Sequence, residues 1–187
     1  MLRHLLLALL ILLCSCATRH PLSERDISSK LISMGERDQE AMSDQDEARR
    51  ESLLRAQTSE LKDIIAAHGW PRISVVGKEA AQAAWLVVQH SDFNRDFQRE
   101  VLAMMEPLMA ISEVEPKHIA YLQDRIAVGD GLPQAYGTQG RCVGAKWEPF
   151  PISQPESVDA RRRSLSMEPL HMYQSVGSSL FCSSHEQ

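Results

Sequence analysis

Gly77-Lys78-Glu79-Ala80-Ala81-Gln82-Ala83-Ala84-Trp85-Leu86-Val87-Val88-Gln89-His90 is the stretch that decides the fold. After its first turn it keeps almost no polar face, and a helix that is apolar all round belongs in the middle of a domain rather than at its surface. Helical periods flank it on both sides. Upstream, Ser23 with Asp26 three residues later reads as a helix start, followed by Ile27, Leu31 and Met34 at helical spacing. A second helix is expected from about Asp44 to His68, with Leu54, Leu61 and Ile65 inward and Glu47, Arg50, Glu51 and Lys62 outward. Gly69 ends it and Pro71 blocks its restart. Downstream, Phe97, Val101, Met104, Met105 and Leu108 define a fourth helix that Pro107 should kink or interrupt. Pro116, Ile119, Leu122 and Ile126 define a fifth, ending near Gly129.

From Gly129 to Pro155 glycine and proline break the helical period. This stretch reads as one long ordered Gly/Pro-rich loop with room for a short hairpin around Gly140 to Trp147. A loop of that length in a compact domain is usually functional or disordered. Ser157 to Tyr173 reads as a sixth helix, with Val158, Leu165 and Leu170 inward and Arg161-Arg162-Arg163 outward. Residues 175–187 form a small, polar tail that needs Cys182 to tie it down. The expected fold is mainly α, a single compact domain of about six helices over residues 23–174.

Composition agrees with one globular domain: 187 residues, 43% hydrophobic and 24% charged, net charge -5. So acidic a chain offers no basic face for a phosphate backbone, so nucleic-acid binding is not expected.

Residues 1–17, MLRHLLLALLILLCSCA, place Arg3 and His4 ahead of an apolar run of about nine residues. That run is too short for a bilayer span, which needs about 20, but suits a signal-peptide core. Leu13-Cys14-Ser15-Cys16 resembles the lipobox of bacterial lipoproteins. The resemblance implies a signal peptide over residues 1–15, cleavage before Cys16, acyl chains on that cysteine, and a short tether at 16–22. Several chains together make a firm membrane anchor. Ala17 does not resemble the aspartate that often retains lipoproteins in the inner membrane, which favours the outer membrane, facing the periplasm, as the location in the cell envelope. With Cys14 cleaved away and Cys16 acylated, Cys142 and Cys182 remain in an oxidising compartment. They are either bridged or two free thiols.

The densest polar cluster falls where helices should end. Gln89, His90 and Asp92 close the apolar helix; Asp124 and Arg125 precede the long loop; Gln134, Tyr136, Thr138 and Gln139 lie within it. Polar groups at buried helix ends need partners. One reading is architectural: these side chains pin the loop, with Arg125 forked to Asp124, Asp92 or a carbonyl. The other is functional: His90 is a general base or a metal ligand, oriented by Asp92 or Asp124. No compact metal-ligand spacing occurs despite seven histidines, and no phosphate loop or Gly-x-Ser-x-Gly nucleophile turn is present. No cofactor or metal is expected.

The strings Glu36-Arg37-Asp38-Gln39, His68-Gly69-Trp70-Pro71, Val76-Gly77, Gln89-His90-Ser91-Asp92, Tyr121-Leu122 with Asp124-Arg125, and Pro133-Gln134 with Tyr136-Gly137-Thr138-Gln139 resemble a bacterial domain family of unknown function. The resemblance runs over roughly residues 25 to 174, and departs at Ser91, where the family pattern has alanine. It implies that the polar cluster coincides with the family's own strings, without implying a reaction. Two functions fit the residues. One is an anchored envelope domain that binds a small polar ligand or an envelope protein through the loop. The other is an envelope hydrolase in which His90 acts with Asp124 and Arg125.

Overall fold

The computed structural model describes residues 23–182. The expected signal peptide, Cys16 and the tether, and the tail beyond 182, lie outside the described residues. The chain is mainly helical. Helices α1 (Glu24–Met42), α2 (Glu47–His68), α3 (Ile73–Val76), α4 (Lys78–Gln89), α5 (Arg95–Met109) and α6 (Pro116–Gly129) come first. A hairpin of β1 (Gly140–Val143) and β2 (Lys146–Pro149) follows, then α7 (Val158–Ser164) and α8 (Leu170–Gly177).

Local chemistry explains most of the boundaries. Ser23 and Asp26 form a reciprocal capping box: the Asp26 amide donates to Ser23 Oγ at 3.2 Å and the Ser23 amide to Asp26 Oδ2 at 3.3 Å. The second helix starts three residues later than its periodicity suggests, because Asp46 caps the Arg49 amide at 3.1 Å while Asp44 holds the preceding turn. It stops at Gly69, whose φ of 74° suits a residue without a side chain. Pro107 lies inside α5, which runs on to Met109. So near the helix end, proline forfeits little of the ladder.

Among the described residues there are eight α-helices, against the six expected. One addition is α3, a single turn too short for a period to announce it. The other arises because the segment from 157 to 173 is two helices. Ser166 at φ 55° turns the chain and Pro169 starts α8 afresh. The Arg161-Arg162-Arg163 run is also corrected. Only Arg163 faces solvent, and Arg162 is 1% exposed. The carbonyls of the long loop draw the other two inward: Arg161 Nε donates to Ala135 O at 2.7 Å, and Arg162 Nη1 to Tyr136 O at 2.7 Å.

The apolar helix α4 touches α1, α2, α3, α5 and α6. Around it lie Leu31, Met34, Leu61, Val101, Met105 and Leu122, all without solvent exposure. Its crossing with α1 is unusually close. A Cβ built on Gly35 would meet Ala83 Cβ at 2.7 Å and its Cα at 3.2 Å. The second of these is backbone and has nowhere to go. Gly35→Val is therefore expected to lower stability by roughly 2 kcal/mol net of any gain in helix propensity, read from urea unfolding midpoints.

A smaller cluster forms beyond α6. Trp147 packs between Gly140 and Gly177 and meets the Tyr173 ring edge-on at 5.3 Å. A Cys142–Cys182 disulfide, with Cα atoms 5.5 Å apart, joins the hairpin to the turn after α8.

Candidate functional site

The residues singled out in the sequence fall into two groups that do not meet as one site. The first is a knot built on Asp124. Its carboxylate, fully buried on α6, accepts the amides of Ala135 (2.8 Å), Tyr136 (3.0 and 3.2 Å) and Thr138 (2.9 Å), and the Thr138 hydroxyl (2.9 Å). Gln134 completes it: Nε2 donates to Gln139 O at 2.7 Å and Phe150 O at 2.9 Å, while Oε1 accepts the Gln139 amide at 2.9 Å. The Gln139 side chain donates to Thr138 Oγ1 at 3.2 Å. These groups face one another, and their hydrogen-bonding capacity is consumed in shaping the loop. Tyr136 is half-buried, and burial, with Asp124 nearby, pushes its phenol above the ordinary range.

The second group surrounds His90, the residue that ends α4. Its Nδ1 and Asp38 Oδ2 share a hydrogen bond of 2.7 Å, in which an ionised carboxylate can only accept. Asp38 comes from the middle of α1 and is fully buried, and the same oxygen accepts Gln39 Nε2 at 3.0 Å. The partner of His90 is thus neither Asp92 nor Asp124. With Nδ1 committed, Nε2 is the ring nitrogen left for a cleft of about 280 Å³, which His90 lines with Arg50, Glu51, Asp92, Phe93 and Arg125. Arg125 makes a two-pronged bond to Asp92, 2.7 Å on each arm. Burial works against ionisation of Asp92, but Arg125, the Gln98 amide and His90 outweigh it and hold its carboxyl below the usual range. Gln89 is buried beside His90 in sequence. Its Nε2, with Asp38 Oδ1 and Gln57 Oε1, lacks a partner among the described residues.

The arrangement is an imidazole oriented by a buried carboxylate on the wall of a cleft that mixes charged side chains with Met42, Leu54 and Phe93. Such a nitrogen can accept a hydrogen bond from a ligand or take a proton from one. Ser91, the next residue, is not poised as a nucleophile: it is buried and its Oγ donates to Val87 O at 2.6 Å. Among the described residues, no three His, Cys, Asp or Glu side chains are grouped to hold a metal ion. Asp38 was missed as a site residue, although it lies in one of the strings that carry the resemblance. The burial of Arg162 was missed because a triple arginine reads as a solvated face.

His118 is buried and stacks on Trp85 with ring centroids 4.1 Å apart. Burial, helped by Lys117, pulls its pKa from 6.5 down to about 4. The unfolded chain thus binds a proton near pH 6.5 that the folded chain refuses until about pH 4. Stability from this residue is complete above pH 6.5 and falls as the pH drops towards 4, by about 3 kcal/mol in all. His118→Phe keeps a ring against Trp85 and should lose less stability than the parent between pH 7.5 and 4.5. Urea midpoints at the two pH values measure this.

No curated protein and no solved structure matches the chain. The pattern of a family of unknown function, DUF6624, matches residues 25–181. That span takes in both the Asp124 knot and the Asp38–His90 pair, and the chain belongs to this family.

Proposed function

We propose that the protein is a lipid-anchored domain of the bacterial envelope that binds a small polar ligand in the cleft beside His90. The observation that carries the reading is the buried Asp38 carboxylate 2.7 Å from His90 Nδ1, which leaves Nε2 as the uncommitted ring nitrogen of a histidine that lines the cleft. The cleft mixes cationic Arg50 and Arg125 with anionic Glu47, Glu51 and Asp92, a lining suited to a ligand that presents both donors and acceptors. The lipobox at Leu13 to Cys16 supports an anchor at Cys16, and Ala17 supports the outer membrane. The loop residues supply the frame of the domain instead of its contacts to a ligand.

A thermal-shift panel of amino acids, sugars and sugar phosphates tests the binding, run on the parent, His90→Gln and Asp38→Asn. At least one compound should raise the parent's Tm by several degrees and leave His90→Gln unmoved. Equal shifts in both proteins would place the ligand elsewhere. Labelled palmitate should enter the parent and not Cys16→Ser.

The Asp38–His90 pair also favours a second reading, a hydrolase in which His90 takes a proton from water and Arg125 steadies an anionic group. Asp124 has no part in it, because its oxygens are already occupied by loop donors. Turnover of model esters or phosphoesters that survives His90→Gln would dismiss this reading.

A further inference from the structure

Among the described residues, Arg162 is a buried cation that makes no ion pair. Its residue is 1% exposed, and two of its three nitrogens are committed to carbonyls: Nε to Glu168 O at 2.6 Å and Nη1 to Tyr136 O at 2.7 Å. No described acceptor takes Nη2, and no described carboxylate lies within ion-pair distance of the guanidinium. A buried cation in this position is costly unless something neutralises it. The residue lines a cavity of about 470 Å³ together with Lys117, Tyr121, Leu165 and Tyr173.

The surroundings suit one chemistry. Tyr173 lies under the guanidinium, with its ring centroid 4.9 Å from the charge, and meets Tyr121 edge-on at 6.1 Å. The first turn of α6, which no side chain caps, adds Lys117 and the positive end of the helix to the rim. Two carboxylates also border the cavity. Glu115 is paired with Lys78 at 3.2 Å, and Glu168 is exposed. Farther off, the Asp159 and Asp124 carboxylates favour the charged guanidinium without coming within ion-pair distance of it, and the acidic groups on the cavity's own border are peripheral. Apolar and aromatic walls around one buried fork favour an organic anion over a bare inorganic one.

We propose that this cavity is a binding site for a small organic carboxylate, whose oxygens meet the free edge of the Arg162 guanidinium while its apolar body lies against Tyr121, Tyr173 and Leu165. The site is independent of the His90 cleft, and either assignment can fail without the other.

Benzoate and hexanoate are the probes, titrated into the full chain by NMR, with benzamide as the neutral counterpart and inorganic phosphate as the bare anion. At least one carboxylate should bind saturably below about 10 mM and at least tenfold more tightly than benzamide or phosphate. Arg162→Gln should abolish this, but it also unties two carbonyls and can unfold the α7–α8 turn. Two further variants spare the guanidinium: Leu165→Trp fills the cavity and should remove binding, and Lys117→Glu at the rim should weaken it several-fold. Absence of carboxylate binding, equal affinity for benzamide, preference for phosphate, or binding that survives Leu165→Trp would each overturn the proposal.

Discussion

Asp124→Ala is expected to lose at least about 4 kcal/mol of stability, the largest effect of any single substitution considered. The variant strands the amides of Ala135, Tyr136 and Thr138, which all end on this one carboxylate. Each buried donor left without an acceptor costs about 1–3 kcal/mol. Asp124→Asn should fall between the two, because an amide keeps one acceptor but turns an N–H towards donors. Urea unfolding measures the loss. Amide hydrogen exchange should show the same three positions protected in the parent and open in the variant. A loss below about 1 kcal/mol would mean that the loop holds its shape without the carboxylate.

Breaking the disulfide is expected to cost about 4 kcal/mol. Cys142 and Cys182 stand 40 residues apart, so the bridge closes a loop that takes in the second strand, α7 and α8. On the chain-entropy account, this constraint on the unfolded chain provides most of the gain. The bridge also closes the side of the cluster where Gly177 packs on Trp147, so Trp147 fluorescence should redden when it is cut. Cys142→Ser, Cys182→Ser and the reduced parent should unfold at similar urea concentrations, well below the oxidised parent. Equal midpoints for the oxidised and reduced parent would show that the bridge adds nothing.

The helical frame was legible because its signals are local. The apolar run of α4, the Ser23 cap and the Gly69 stop each act within a few residues. The details that matter for the site are not local. Asp38 and His90 are 52 positions apart and meet across the α1–α4 crossing, where Gly35 lets α1 press against Ala83. Neighbouring helix residues point about 100° apart, so Asp124 and Arg125 could not both turn towards His90. Applying that geometry to the pair would have separated the buried aspartate from the arginine on the cleft. Arg162 is different: nothing near it in sequence announces that the Tyr136 carbonyl would draw it inside.

The claim that His90 is an oriented, available imidazole is tested most directly by long-range proton–nitrogen NMR of the histidine rings, with the His90 signals assigned by their loss in His90→Gln. At a pH where the ring is neutral, the proton should sit on Nδ1, against Asp38, with Nε2 unprotonated and open to the cleft. A proton on Nε2 instead, or a ring unchanged by Asp38→Asn, would contradict the account.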